Sequence, residues 1–179
     1  PLTWIVDPLD GTTNFIHGLY PNSVSIALLQ DQEMVVGVVY EIGLDECFSA
    51  WKNSNAYLNG KQIIVSDVES LDSCLIGIGF PYHDFYRLDS YFSCVRYFAE
   101  HAQAMRRTGS AATDLSYVAC GRLDAYFEYS LNPWDVAAGA FILQRAGGCV
   151  SDFSGGNSYL FGQEMVASNA RVFSNFMAV

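Results

Sequence analysis

A layered fold of the α+β and α/β kind is what this 179-residue chain predicts, on three observations. Its first third alternates apolar and polar residues between turn signals, the pattern of an antiparallel sheet. From Ser73 onward, short β-prone runs alternate with stretches of helical periodicity, the pattern of packed strand and helix layers. Hydrophobic residues make up 51% of the chain and charged ones 16%, which excludes a disordered chain and supports a sizeable core.

The elements follow in order. Leu2 to Val6 is apolar and β-prone, a buried strand that should stop at Asp7 because Pro8 cannot continue it. Ser23–Leu29 and Met34–Glu41 read as a hairpin across residues 30–33, and Glu46–Trp51 extends the meander. Ala56–Lys61 adds a strand and a turn. In the second part, strands are predicted at Ser73–Phe80, Ala102–Arg106, Leu123–Tyr129, Cys149–Asp152 and Glu164–Ala167. Helices are predicted at Phe85–Glu100, Ser110–Cys120 and Pro133–Arg145, and a last one opening near Ser168-Asn169. A soft seam near Val65–Ser73 divides residues 1–66 from residues 67–179, two subdomains of one functional unit.

Net charge is −10, and no basic stripe exists to neutralise a phosphate backbone, so nucleic acid is not expected as a partner. No apolar run approaches the ~20 residues of a membrane span, and neither a membrane nor a signal peptide is expected. Five widely spaced cysteines without a Cys-x-x-Cys pair predict buried thiols in a reducing compartment, and hence a cytoplasmic protein.

Two runs carry chemistry. In Trp4-Ile5-Val6-Asp7-Pro8-Leu9-Asp10-Gly11-Thr12-Thr13-Asn14-Phe15, two carboxylates three residues apart sit on a tight turn. Gly11 lets the backbone approach a ligand there, and hard oxygen donors beside an anion cradle point to Mg²⁺ with phosphate. The same residues would also serve as an Asx-turn with a capping aspartate. In the second run, Asn132 is an N-cap, Pro133 suits the first helical position and Gly147-Gly148 ends the helix. Asp135 then either answers the helix dipole or adds a third carboxylate to the metal set. The acidic balance itself favours cations, because clustered carboxylates repel a phosphate unless divalent ions lie between them.

Taken together, these runs resemble the signatures of the inositol monophosphatase family, in the family's order. The second appears as Trp134-Asp135-Val136-Ala137-Ala138-Gly139 followed by Ala146-Gly147-Gly148, and Gly109-Ser110-Ala111-Ala112 lies between. The resemblance implies an αβαβα sandwich and Mg²⁺-dependent hydrolysis of a phosphomonoester by metal-activated water. Two or three ions occupy each site, with Mn²⁺ as a substitute. By the same resemblance, Asp7, Asp10, Asp135 and the Leu9 carbonyl hold metal, and Asp10 and Thr12 act in catalysis. Substrate would be met by Asp10, Gly11, Thr12, Gly109, Ser110, Ala111, Glu128 and Asp135. Glu128 would read the alcohol rather than the phosphate. A small phosphorylated polyol is the implied substrate and a homodimer the implied assembly.

In that family a stretch of roughly eighty residues, with a Gly-Glu-Glu motif that positions water, precedes the first signature. The chain begins at Pro1 and so reads as a fragment, with one helical layer missing and with little activity of its own. The alternatives are a sugar-bisphosphate or 3′-phosphonucleotide phosphatase of the same fold, or a catalytically incompetent anion-binding or assembly module. Arg106 and Arg107 are assigned structural ion pairs or supporting contacts, and residues 80–86 a loop at the substrate mouth. Asp114 is read as a cap or surface residue. The three histidines have no partner at metal spacing.

Overall fold

In the computed structural model, which describes residues 1–179, alternating side chains carry the first six strands into one antiparallel sheet. In chain order these are β1 (Leu2–Asp10), β2 (Ser23–Gln30), β3 (Glu33–Glu41), β4 (Glu46–Trp51), β5 (Ala56–Leu58) and β6 (Lys61–Ile63). In β2, Ser23, Ser25, Ala27 and Leu29 are buried while Val24, Ile26 and Leu28 are only half-buried, a period of two. The short helix α1 (Thr12–Ile16) follows β1.

β1 does not stop at Val6 as expected. It runs on to Asp10, with its register against β2 broken between Asp7 and Asp10. β1 is an edge strand, and Pro8 sits inside the irregular stretch, where a missing N–H is tolerated. That break leaves Pro8 and Leu9 outside the pairing, between Asp7 opposite Ser25 and Asp10 opposite Ser23.

The second sheet joins β7 (Leu75–Ile78), β8 (Ala104–Arg106), β9 (Ala125–Tyr129), β10 (Gly148–Ser151) and β11 (Glu164–Asn169) in the order β10-β11-β9-β7-β8. β7 pairs in parallel with β8 and β9, while the β9-β11 and β11-β10 pairs are antiparallel. The helices are α2 (Leu88–His101), α3 (Ala111–Ala119), α4 (Pro133–Arg145) and α5 (Phe173–Met177). α3 and α4 share one core with Val39 and Phe48 of the first sheet and Tyr126 and Met165 of the second, so they lie between the sheets. α4 is buried from Val136 through Leu143, as an all-round apolar helix must be. Small residues bring these two helices close: a Cβ on Gly139 would stand 2.7 Å from the Leu115 Cβ.

On the far face of the second sheet, α2 and α5 close an aromatic cluster that includes Tyr91, Phe98, Phe127, Tyr129 and Phe176. The layers therefore run sheet, helix pair, sheet, helix pair, and the layered α+β expectation holds. The outer face of the first sheet is uncovered here, with Leu2 66%, Trp4 62% and Val6 47% exposed. No helix is long and apolar enough to cross a membrane.

Three further expectations need correction. Ser168-Asn169 closes β11 instead of opening a helix. The Asn169 side chain accepts from the Arg171 and Val172 amides and donates to the Val68 carbonyl, turn chemistry that mimics a cap. Of the five free cysteines only Cys74 is buried, and the others are half-buried. Asp114 is buried inside α3, 1% exposed, because the helix is covered on both sides.

Asp152, just after β10, anchors the loop that follows. Its carboxylate accepts from the Ser154 amide at 2.9 Å and hydroxyl at 2.6 Å, the Gly156 amide at 2.7 Å and the Ser158 amide at 3.0 Å. These bonds, Ser154's first, pull its pKa down to about 2. A depressed folded pKa gives stability that is full above the unfolded value and lost as pH falls toward the folded one. Asp152→Asn is therefore expected to cost about 1.5–3 kcal/mol at neutral pH. The difference should shrink from about pH 4 to pH 2, read by urea melts at each pH. A difference that stays constant with pH would mean that charge plays no part.

Candidate active site

Two elements, β1 and α4, deliver three carboxylates to one point. The break in β1 presents Asp7, whose Oδ1 accepts from the Leu9 amide at 2.9 Å. The end of β1 presents Asp10, whose Oδ2 accepts from the Ser110 hydroxyl at 2.6 Å and the Ala112 amide at 2.8 Å, at the start of α3. The first turn of α4 presents Asp135, whose Oδ2 accepts from the Asn132 amide at 2.7 Å. Each carboxylate thus spends one oxygen on backbone or cap contacts that aim it. One oxygen from each lies within 4.8 Å of the others. Asp135 thus takes part in the capping of α4 and also lies beside Asp7 and Asp10.

Gly11 turns the chain between Asp10 and α1 at φ +79°, and a Cβ there would come 2.9 Å from the Pro21 carbonyl oxygen. The Thr12 hydroxyl donates to the Leu9 carbonyl at 2.8 Å. Its lone pairs stay free to accept from a ligand or water.

The cluster is electrostatically unfinished. Burial, foremost, pushes the Asp10 carboxyl up to about 7, with Asp135 and Asp7 adding repulsion against the lowering bonds from Ser110 and Ala112. Burial also raises Asp135, and Asp7 beside it adds to the rise. None of the three takes part in any of the protein's five ion pairs. Converging, unpaired, oxygen-only donors of this kind fit a hard divalent cation.

These residues line a cavity of about 400 Å³. Leu9, Gly11, Thr12, Gly109 and Ala111 also line it, and Glu128 stands on its wall with Tyr82, His83 and Arg107. Ser110 lies just beneath, caps α3 by accepting from the Thr113 amide at 3.3 Å, and is 1% exposed. Glu128 accepts from the Tyr126 hydroxyl at 2.5 Å. Burial raises its pKa to about 7, the Tyr126 bond opposing. Gly79 makes room for it: a Cβ on Gly79 would fall 1.8 Å from the Glu128 Oε2.

All the expected site residues but Ser110 line one cavity; Ser110, expected to meet substrate, is instead buried beneath it, its hydroxyl spent on Asp10 and the start of α3. The residues 80–86 loop reaches the cavity mouth through Tyr82 and His83. Arg107 is a correction. Neither it nor Arg106 forms an ion pair; Arg107 lines the cavity and donates to the Tyr82 hydroxyl at 2.7 Å, while Arg106 bonds the Met105 carbonyl outside it. Sequence reasoning also missed Asn14. Its buried Nδ2 donates to the Pro21 and Thr108 carbonyls, both at 2.8 Å, and so ties the carboxylate turn to the loop before α3. The signal was available: an amide side chain two residues beyond Gly11-Thr12 sits where a turn needs a clamp. Asp114 accepts from the Thr108 hydroxyl at 2.7 Å, and burial holds its pKa well above the carboxylate range.

The model of the inositol monophosphatase family matches residues 1–178. The chain is 44% identical over 172 residues to the Nus factor SuhB of Pseudomonas aeruginosa, covering 95% of the chain and 64% of that protein. Among solved structures, the extragenic suppressor protein suhB of Bartonella henselae superposes with a TM-score of 0.95 at 38% identity, covering 99% of the chain and 68% of its own. The inositol monophosphatase of Anabaena superposes at 0.90 with 36% identity, covering 99% and 70%. The chain spans about two-thirds of the length of the relatives it matches.

Proposed function

The chain belongs to the inositol monophosphatase family, and from that premise we propose that its protein is a divalent-cation-dependent phosphomonoesterase acting on a phosphorylated polyol such as inositol monophosphate. The observation that carries this reading is the convergence of Asp7, Asp10 and Asp135 within 4.8 Å on one wall of a cavity that also holds Glu128. When bound, Mg²⁺ neutralises the phosphate and acidifies a water molecule. The three carboxylates hold that charge in place. Ser110 and the Ala112 amide fix Asp10, and the Thr12 hydroxyl, already donating to Leu9, accepts a hydrogen bond from a water and so orients it. Gly11 lets the backbone approach the phosphate. Glu128, sheltered by Gly79, takes hydrogen bonds from substrate hydroxyls. The work is positioning and charge neutralisation.

The test is Mg²⁺-dependent phosphate release by the full-length protein from inositol monophosphate, a sugar bisphosphate and an aryl phosphate. Glu128→Gln is expected to lower kcat/KM on the inositol ester by ten- to a hundredfold, since a bond to a charged group contributes about 1.5–3 kcal/mol. The aryl ester should change little. Equal losses on both would place Glu128 in the metal set or the fold. Arg107, with no acidic partner, favours a substrate carrying a second anionic group. Highest kcat/KM on the bisphosphate, lost selectively in Arg107→Gln, would establish that substrate instead.

The relatives named Nus factor SuhB favour a second reading, a binding or assembly role that uses the fold without turnover. Complementing a deletion strain with Asp135→Asn separates the two. Failure to rescue supports catalysis, and full rescue supports assembly.

A further inference from the structure

Side chains alternate along β9, so Glu128 faces the active site while Phe127 and Tyr129 face the other way, toward α2 and α5. There they line a second cavity of about 210 Å³, walled mainly by Tyr91 and Phe98 of α2, Phe153, and Phe176 of α5. Two features are foreign to an apolar void. Tyr129 is 2% exposed, and its hydroxyl is the one buried side-chain polar atom without a hydrogen-bond partner. The Arg87 guanidinium lies on the cavity wall, 5.8 Å from the Tyr129 ring centre and 5.3 Å from that of Phe153, with its charge answered by Glu164.

An unpartnered buried hydroxyl in a native protein calls for an explanation, because leaving it so is costly. Water explains it less well, since an ordered water needs two to four polar partners and, apart from Arg87 and Ser90, the lining is hydrophobic. We propose that the cavity binds a small, uncharged aromatic molecule bearing one hydrogen-bonding group, its ring among the phenylalanines and its polar group on the Tyr129 hydroxyl. The size agrees. An apolar cavity of about 150 Å³ takes up benzene, so this one admits a one- or two-ring molecule. A charged ligand is disfavoured because Glu164 already neutralises Arg87, and an anion would be buried beside that carboxylate. The site lies across β9 from the active-site cavity, so its ligand and phosphate do not compete.

Phenol, toluene and benzoate, titrated separately into the full-length protein with Mg²⁺ and saturating inorganic phosphate present, test this. Binding is read from the NMR shifts of the Met177 and Val166 methyls, both on the cavity wall. Phenol is expected to bind three- to tenfold more tightly than toluene, the yield of one neutral hydrogen bond, and benzoate more weakly than either. Tyr129→Phe should keep toluene binding and erase the preference for phenol. Four results would overturn the proposal: no shift at these methyls with any probe, displacement of phenol by phosphate, a phenol preference that survives in Tyr129→Phe, or benzoate binding most tightly. A crystal structure of the full-length protein with the cavity filled by its own chain would overturn it too.

Discussion

Asp135→Asn is expected to lower kcat/KM of the full-length protein by ~10²–10⁴-fold, about 3–5 kcal/mol of transition-state stabilisation, while leaving the fold intact. The two outcomes separate because Asp135 has two jobs. Its Oδ2 accepts from the Asn132 amide and starts α4, and an asparagine carbonyl can still do that. Its carboxylate also belongs to the cluster, where a neutral amide binds a hard dication poorly. Steady-state kinetics across Mg²⁺ concentrations, beside a thermal melt, reads both. A folded variant with normal Mg²⁺-dependent turnover would remove Asp135 from the metal set.

Asp10→Asn should separate stability from function in the opposite direction. Burial lifts the Asp10 pKa from 3.8 to about 7, so the metal-free folded state holds a proton that the unfolded chain releases. With the folded value above the unfolded one, stability falls as pH rises from about 4 to about 7, and the cost is complete above that. Three units at 1.36 kcal/mol each set an upper bound of about 4 kcal/mol. The asparagine variant escapes this cost, and its side-chain oxygen still accepts from Ser110 and the Ala112 amide. It should therefore melt higher than the parent without metal at pH 7.5, by about 1–4 kcal/mol, and lose most of the parent's stabilisation by added Mg²⁺. Melts with and without Mg²⁺ at pH 5 and pH 7.5 check both halves. A variant that melts lower at pH 7.5 without metal would show that the Asp10 charge is already compensated.

What the sequence discloses tracks how local the signal is. α4 is predicted at its observed limits because Asn132, Pro133 and Gly147 act through the backbone beside them. β4 likewise falls at its observed limits. The Asp7-Asp10-Gly11 turn is legible for the same reason, its glycine being needed for a left-handed backbone. Orientation is not local. Arg107 and Arg106 are neighbours with the same chemistry, and only the fold decides that Arg107 lines the cavity while Arg106 bonds the Met105 carbonyl. Asp114 looks like a solvent-facing helix residue until a sheet is laid on each side of α3. Asn14 is flagged by its place beside the turn, but its partner at Thr108, more than ninety residues away, is set by the fold alone. The path of β1 past Pro8 was missed because the proline was weighed without knowing that its strand lay at an edge.

The close approach of α3 and α4 at Gly139 makes the site a gauge of interhelical spacing. One carboxylate is held by the first turn of α3 and another by the first turn of α4, so the gap between them follows the distance between the helix axes. A methyl group at position 139 would press on Leu115, deep in the core, and spread the two helix starts. Under the proposed function, the spacing of the carboxylates that would hold the metal is thereby set in part by a residue that meets neither metal nor substrate.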